Sequence, residues 1–157
     1  MTRRSAAHTS FVLERRFKAS PARVFNAWSD PKAKQRWSDC HADTGTSEYS
    51  LDFRPGGREI HRATLPDGTL QLVDKTFIEI VPDARIIFAY GIEVGGRTLS
   101  ASLVTVELHP DGNGTRLQLT EQLAYLDGHD DLTLRIHGTG EGLDRLLLEV
   151  ECGLSAA

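Results

Sequence analysis

Apolar side chains first recur on every second position. Phe11, Leu13 and Phe17 keep the two-residue period of a half-buried strand between Thr9 and Lys18, with Arg15 breaking the stripe. The period then changes. Ser20 is an N-cap residue type and Pro21 suits the first helical position, and Val24, Phe25 and Trp28 follow at helical spacing. Asp30 and Pro31 repeat the start signal, predicting a second short helix from Pro31 to about Trp37. Glycine and proline punctuation at Pro55, Pro66, Val81, Val94 and Pro110 next divides the chain into six strand-length segments: 49–54, 58–65, 70–80, 85–94, 99–109 and 115–125. Their short connections favour antiparallel neighbours, because a parallel crossover needs about a dozen residues or more. A helical stripe closes the chain at Leu132, Ile136, Leu143, Leu146, Leu147 and Val150, with Asp130 and Asp131 where negative charge suits a helix N-terminus.

Three glycines sit inside that last stripe. Gly138, Gly140 and Gly142 each cost about 1 kcal/mol relative to alanine in a helix. One account is that the helix is interrupted and begins near Thr139. The other is that missing side chains leave room between helix and sheet for a ligand, or let the helix bend to admit one.

Strand, two short helices, six meandering strands and a long amphipathic helix predict an α+β helix-grip fold, a seven-stranded curved antiparallel sheet gripping its C-terminal helix. The segments ASPARVFNAWSDPKAKQRW, DFRPGGR, VPDARIIFAY, VTVELHPDGNGTRLQLTEQ and LDGHDD followed by GLDRLL carry a resemblance beyond this order. They resemble the START-like, SRPBCC superfamily, and within it single-domain homologues of the C-terminal domain of the activator of the ninety-kilodalton heat-shock chaperone ATPase. The resemblance runs from about Thr9 to Glu151, which implies one domain over 9–152 with a disordered N-terminal tail over 1–8 and a C-terminal tail over 153–157. It also implies a cavity between sheet and helix that in many members accepts lipids, steroids, polyketides or other apolar molecules. The superfamily includes binding proteins, cyclases and co-chaperones, so the fold does not select a reaction. The chain leaves no room for the additional N-terminal domain with which the co-chaperone contacts its chaperone.

Composition narrows the partners. The 157 residues are 39% hydrophobic and 25% charged, an ordinary globular balance with enough length for one core. A formal charge of −4, with basic and acidic residues interspersed, offers no footprint for a nucleic-acid backbone. No run approaches the ~20 apolar residues of a membrane span. Cys40 and Cys152 lie far apart and outside any CxxC pattern, which suits a reducing, cytoplasmic setting. Oligomeric state is open, a homodimer included.

Candidate chemistry is sparse. PGGR (55–58) and GTGEG (138–142) lack the spacing of phosphate-binding loops, and LDGHDD lacks that of a calcium loop. Cys40, His41 and Asp43 crowd one loop without paired zinc-ligand spacing, so neither metal nor cofactor is expected. More informative are polar residues in phase with apolar stripes. Glu121 shares a strand face with Leu117, Leu119, Leu123 and Tyr125, and Tyr90 shares one with Ile86, Phe88 and Ile92. Glu121 either pairs with Arg62 or Arg97 at a rim or stands with Tyr90 as a polar anchor in an apolar pocket. Phe88, His61 and Ser102 are companions. Trp28 and Trp37 either fill the gap between helices and sheet or, for Trp37 first, line the cavity mouth. The expected ligand-binding set is Trp37, His61, Phe88, Tyr90, Ser102 and Glu121, and the expected ligand an apolar or aromatic, lipid- or polyketide-like small molecule. Two other classes stay open. One is a cyclase or hydrolase with Glu121 or His61 as acid or base, and the other a chaperone-interacting adaptor.

Overall fold

The computed structural model describes residues 4–38 and 47–156. Strand β1 (Ala6–Phe17) is followed by helices α1 (Pro21–Ser29) and α2 (Pro31–Ser38). Strands β2 (Ser47–Leu51), β3 (Arg58–Thr64), β4 (Leu70–Val81), β5 (Arg85–Val94), β6 (Arg97–Asp111) and β7 (Gly114–Leu126) come next, and helix α3 (Leu132–Ala156) closes the chain. The sheet order is β1-β7-β6-β5-β4-β3-β2 with every neighbour antiparallel. It is a meander whose first strand returns to pair with the last, the α+β helix-grip arrangement.

Local chemistry accounts for the boundaries. The Ser20 side chain accepts from the Arg23 amide and Pro21 opens α1. The carbonyl of Asp30 accepts the Lys34 amide to start α2, and Asp130 caps α3 through the Leu132 amide. Strand β1 begins at Ala6, three residues before the apolar alternation starts, because its backbone pairs with β7 up to Leu126. Strand β2 ends at Leu51 rather than at residue 54. There the PGG segment folds against β4, with the Gly56 amide donating to the Phe77 carbonyl (2.7 Å) and the Phe77 amide to that of Gly57 (3.0 Å). A Cβ on Gly57 would stand 2.1 Å from the Asp52 carbonyl oxygen, so only glycine fits this crossing.

The sheet's inner face and the three helices enclose one core. Val24 and Trp28 of α1 and Leu143, Leu146 and Val150 of α3 pack on Ile86, Val106, Leu108 and Leu117. Helix α3 runs unbroken through its glycines, so of the two accounts the interruption near Thr139 does not hold. No described helix is long and apolar enough to cross a membrane.

Candidate functional site

Between α3 and the inner faces of β3 to β7 lies a cavity of about 300 Å³. Its apolar walls are Trp28, Trp37, Ala63, Val73, Phe88, Val104, Leu119 and Leu143. The helix contributes Gly138 and Gly142. A Cβ on Gly138 would meet nothing within 4 Å, and one on Gly142 only the end of Arg145 at 3.7 Å. Gly142 is buried in the cavity wall and Gly138 is exposed at its edge, and both leave space where a side chain would stand. Gly140 faces elsewhere, toward Arg15 of β1.

Two polar clusters are set into these walls. Glu121 is buried at 2% exposure and accepts from Tyr90 Oη (2.7 Å), Ser102 Oγ (2.8 Å) and Arg135 Nη1 (3.4 Å). The pairing of Tyr90 with Ser102 and of Val104 with Glu121 across β5, β6 and β7 brings these groups together. Arg135 reaches in from α3, bonds Ser100 Oγ at 2.9 Å and holds Asp131 one turn earlier. Burial, with the Glu121 carboxylate beside it, raises the Tyr90 phenol above its ordinary value, so it stays a donor. Glu121 is thus neither a rim residue nor a partner of Arg62 or Arg97. Arg62 stands 3.8 Å from Glu48 and Arg97 donates to the Asp127 carbonyl.

The second cluster is on β2, β3, β4 and α2. Lys34 Nζ donates to both Glu59 oxygens (2.9 and 2.7 Å), and both side chains are almost fully buried. Tyr49 Oη also donates to Glu59, and Lys75 Nζ stands 3.5 Å from it. Burial alone would push the Glu59 carboxyl up, but Lys34 and Lys75 beside it bring it down to about 2. Burial pushes the Lys34 ammonium down to about 8, against the pull of Glu59. Its Nζ lies 4.9 Å from the Trp37 ring centroid and 5.5 Å from that of Trp28, and Lys75 Nζ stands over Phe88 at 5.1 Å.

Trp37, His61, Phe88, Tyr90 and Glu121 all line the cavity, whereas Ser102 sits behind Glu121 as its donor. Trp37 joins both readings of the tryptophans. It is buried, stacks edge-on with Trp28 at 4.7 Å, donates to the Ala27 carbonyl (2.8 Å) and still forms cavity wall. His61 lies edge-on to Tyr49. Sequence reasoning passed over Lys34, Glu59, Lys75, Arg135 and Arg145. The signal for Glu59 and Lys75 was the alternation already used elsewhere, since Glu59 shares the phase of His61 and Lys75 that of Phe77. Lys34 stands three residues before Trp37, on the same helix face. Cys40, His41 and Asp43 lie outside the described residues, and among those described no cluster of metal-ligating side chains forms.

Comparison with known proteins fits this geometry. Residues 18–150 match the family described as Activator of Hsp90 ATPase homolog 1-like protein. A protein of Rhizobium leguminosarum solved as a putative uncharacterized protein is 47% identical, with a TM-score of 0.90 over 96% of this chain and 99% of that one. The Mll3558 protein of Rhizobium loti is 43% identical, with a TM-score of 0.86 over 92% of this chain and 99% of its own. Protein CV1439 of Chromobacterium violaceum, at 23% identity and a TM-score of 0.71 over 90% and 96% of the two chains, shares the fold. The comparison with curated proteins returned no match.

Proposed function

Starting from a chain that belongs to the Activator of Hsp90 ATPase homolog 1-like family, we propose that this protein is a binding module that holds an apolar or aromatic small molecule between its sheet and α3. The observation that carries this reading is the void opposite Gly138 and Gly142, walled by Trp37, Phe88, Val104, Leu119 and Leu143. A helix gains stability from side chains at such positions, and here two are absent where space remains, at the buried Gly142 and at the exposed Gly138. An apolar enclosure with a few convergent polar groups is the usual composition of a small-molecule site. Tyr90, Ser102 and Arg135 all bond Glu121 through Oε2, which fixes the carboxylate as one of those polar groups in the cavity wall.

The direct test is titration with the neutral fluorophore N-phenyl-1-naphthylamine, beside native mass spectrometry of the purified protein. Saturable fluorescence enhancement that Gly138→Leu abolishes supports the reading. Absence of enhancement in wild type, or enhancement untouched by filling the void, refutes it.

A further inference from the structure

We infer that the ligand of this cavity is an anion, an apolar or aromatic body carrying one carboxylate-type group that Lys75 and Arg145 receive. The inference rests on the binding-module reading above and adds the chemical class of the ligand.

Charge pairing around the walls leads to it. Three cations line the cavity, Lys34, Lys75 and Arg145, together with the carboxylates Glu59, Glu121 and Glu141. Glu59 is matched by Lys34, which donates to both of its oxygens, and takes a further hydrogen bond from Tyr49. Glu121 is matched by Arg135, which bonds Oε2 together with Tyr90 and Ser102. Asp131 behind it is held by Arg135, Tyr125 and His129. Glu141 turns to the exposed His137 at 2.6 Å. The imbalance is local: two lysines share the single carboxylate of Glu59, and Arg145 has none among the described residues. Lys75 is 3.5 Å from Glu59 and shares that carboxylate with the closer Lys34, and Arg145 donates through Nε to the Trp37 carbonyl with no carboxylate partner among the described residues.

Excess positive charge along an apolar wall is costly unless something answers it. Lys75 Nζ stands over the faces of Phe88 and Tyr90, at 5.1 and 5.6 Å from their centroids, so its charge sits where the apolar lining begins. A compact amphipathic acid satisfies both halves of this surface. Its carboxylate takes charge-assisted hydrogen bonds from the two cations and its body replaces water along the aromatic and aliphatic wall. A neutral ligand of the same shape leaves the cations unanswered.

The test compares 2-naphthaleneacetic acid with its amide, a pair of nearly equal shape that differs in charge at pH 7, by isothermal titration calorimetry. Wild type is expected to bind the acid at least about tenfold more tightly than the amide, the range of a hydrogen bond to a charged group. The preference should fall below about threefold in Lys75→Met and vanish in Lys75→Met/Arg145→Gln, and Lys75→Arg should restore it. Because the readout is a ratio within each variant, a general weakening of binding cancels. Equal affinities in wild type, or a preference that survives the double substitution, overturn the inference. If the neutral fluorophore binds while acid and amide bind equally, only the anionic class fails. If neither compound nor the fluorophore binds, the binding-module reading falls with it.

Discussion

Alanine at Gly138 should stabilise this protein, and the size of the gain follows from one helix position. Gly138 lies six residues into α3, in regular helix, where alanine is favoured by about 0.8–1 kcal/mol. Gly138 is exposed at the edge of the cavity, so a methyl group there meets no packed neighbour. Here the added Cβ meets no atom within 4 Å, so nothing offsets the propensity term. For a domain of this length the gain corresponds to a rise of about 2–4 °C in melting temperature. Gly140 supplies the internal control. Its Cβ would come 3.2 Å from Arg15 Nη2, the guanidinium that donates to the Gly140 carbonyl and to Asp144. Gly140→Ala should therefore gain less than Gly138→Ala, or lose. Thermal unfolding by circular dichroism, backed by urea titration, measures both. Equal effects at the two positions, or a loss at Gly138, would show that the void is not where the geometry puts it. The same methyl group should weaken uptake of the neutral fluorophore, tying the propensity sacrificed in α3 to the cavity it opens.

Other perturbations probe the polar clusters and the core. The Glu59 carboxyl sits at about 2 against an ordinary 4.5, so its contribution, on the order of 3 kcal/mol, is complete above pH 4.5 and lost as pH falls toward 2. Urea midpoints from pH 6 to pH 2.5 should show this acid limb flattened in Glu59→Gln, and an unchanged limb would reject the assignment. Lys34→Met leaves Glu59 buried with only the more distant Lys75 for charge, and should cost about 3–5 kcal/mol in chemical denaturation. Glu121→Gln removes the countercharge of Arg135 but leaves it Asp131, so a loss of about 1–3 kcal/mol is expected. No loss would place Glu121 in solvent. Trp28→Ala should cost about 3–5 kcal/mol, as for other buried aromatic truncations.

Periodicity and punctuation along the chain already contained the element order, the antiparallel meander and the packed stripe of α3. Those features are local. Alternation decides which side chains of β5 and β7 share a face, Ser20-Pro21 and Asp30-Pro31 start helices wherever they fall, and short glycine-rich links leave consecutive strands no partner but each other. Phase alone also carried Glu121 and Tyr90 inward. It could not say what met them there. The partner of Glu121 is Arg135, fourteen residues away on another element, and an arginine between Leu132 and Ile136 looks like a flank of the stripe until the helix is laid on the sheet. Lys34 and Glu59 are likewise joined only when α2 closes over β3, 25 residues apart in sequence. The glycines of α3 show the division most clearly. Their helix propensity is a property of the residue and argued for a break, whereas the unbroken helix and the empty space beside Gly138 depend on packing against the whole sheet. Helix formation in a folded protein draws more on such packing than on propensity, so tertiary structure decided whether α3 stayed whole and where its missing side chains would leave a cavity.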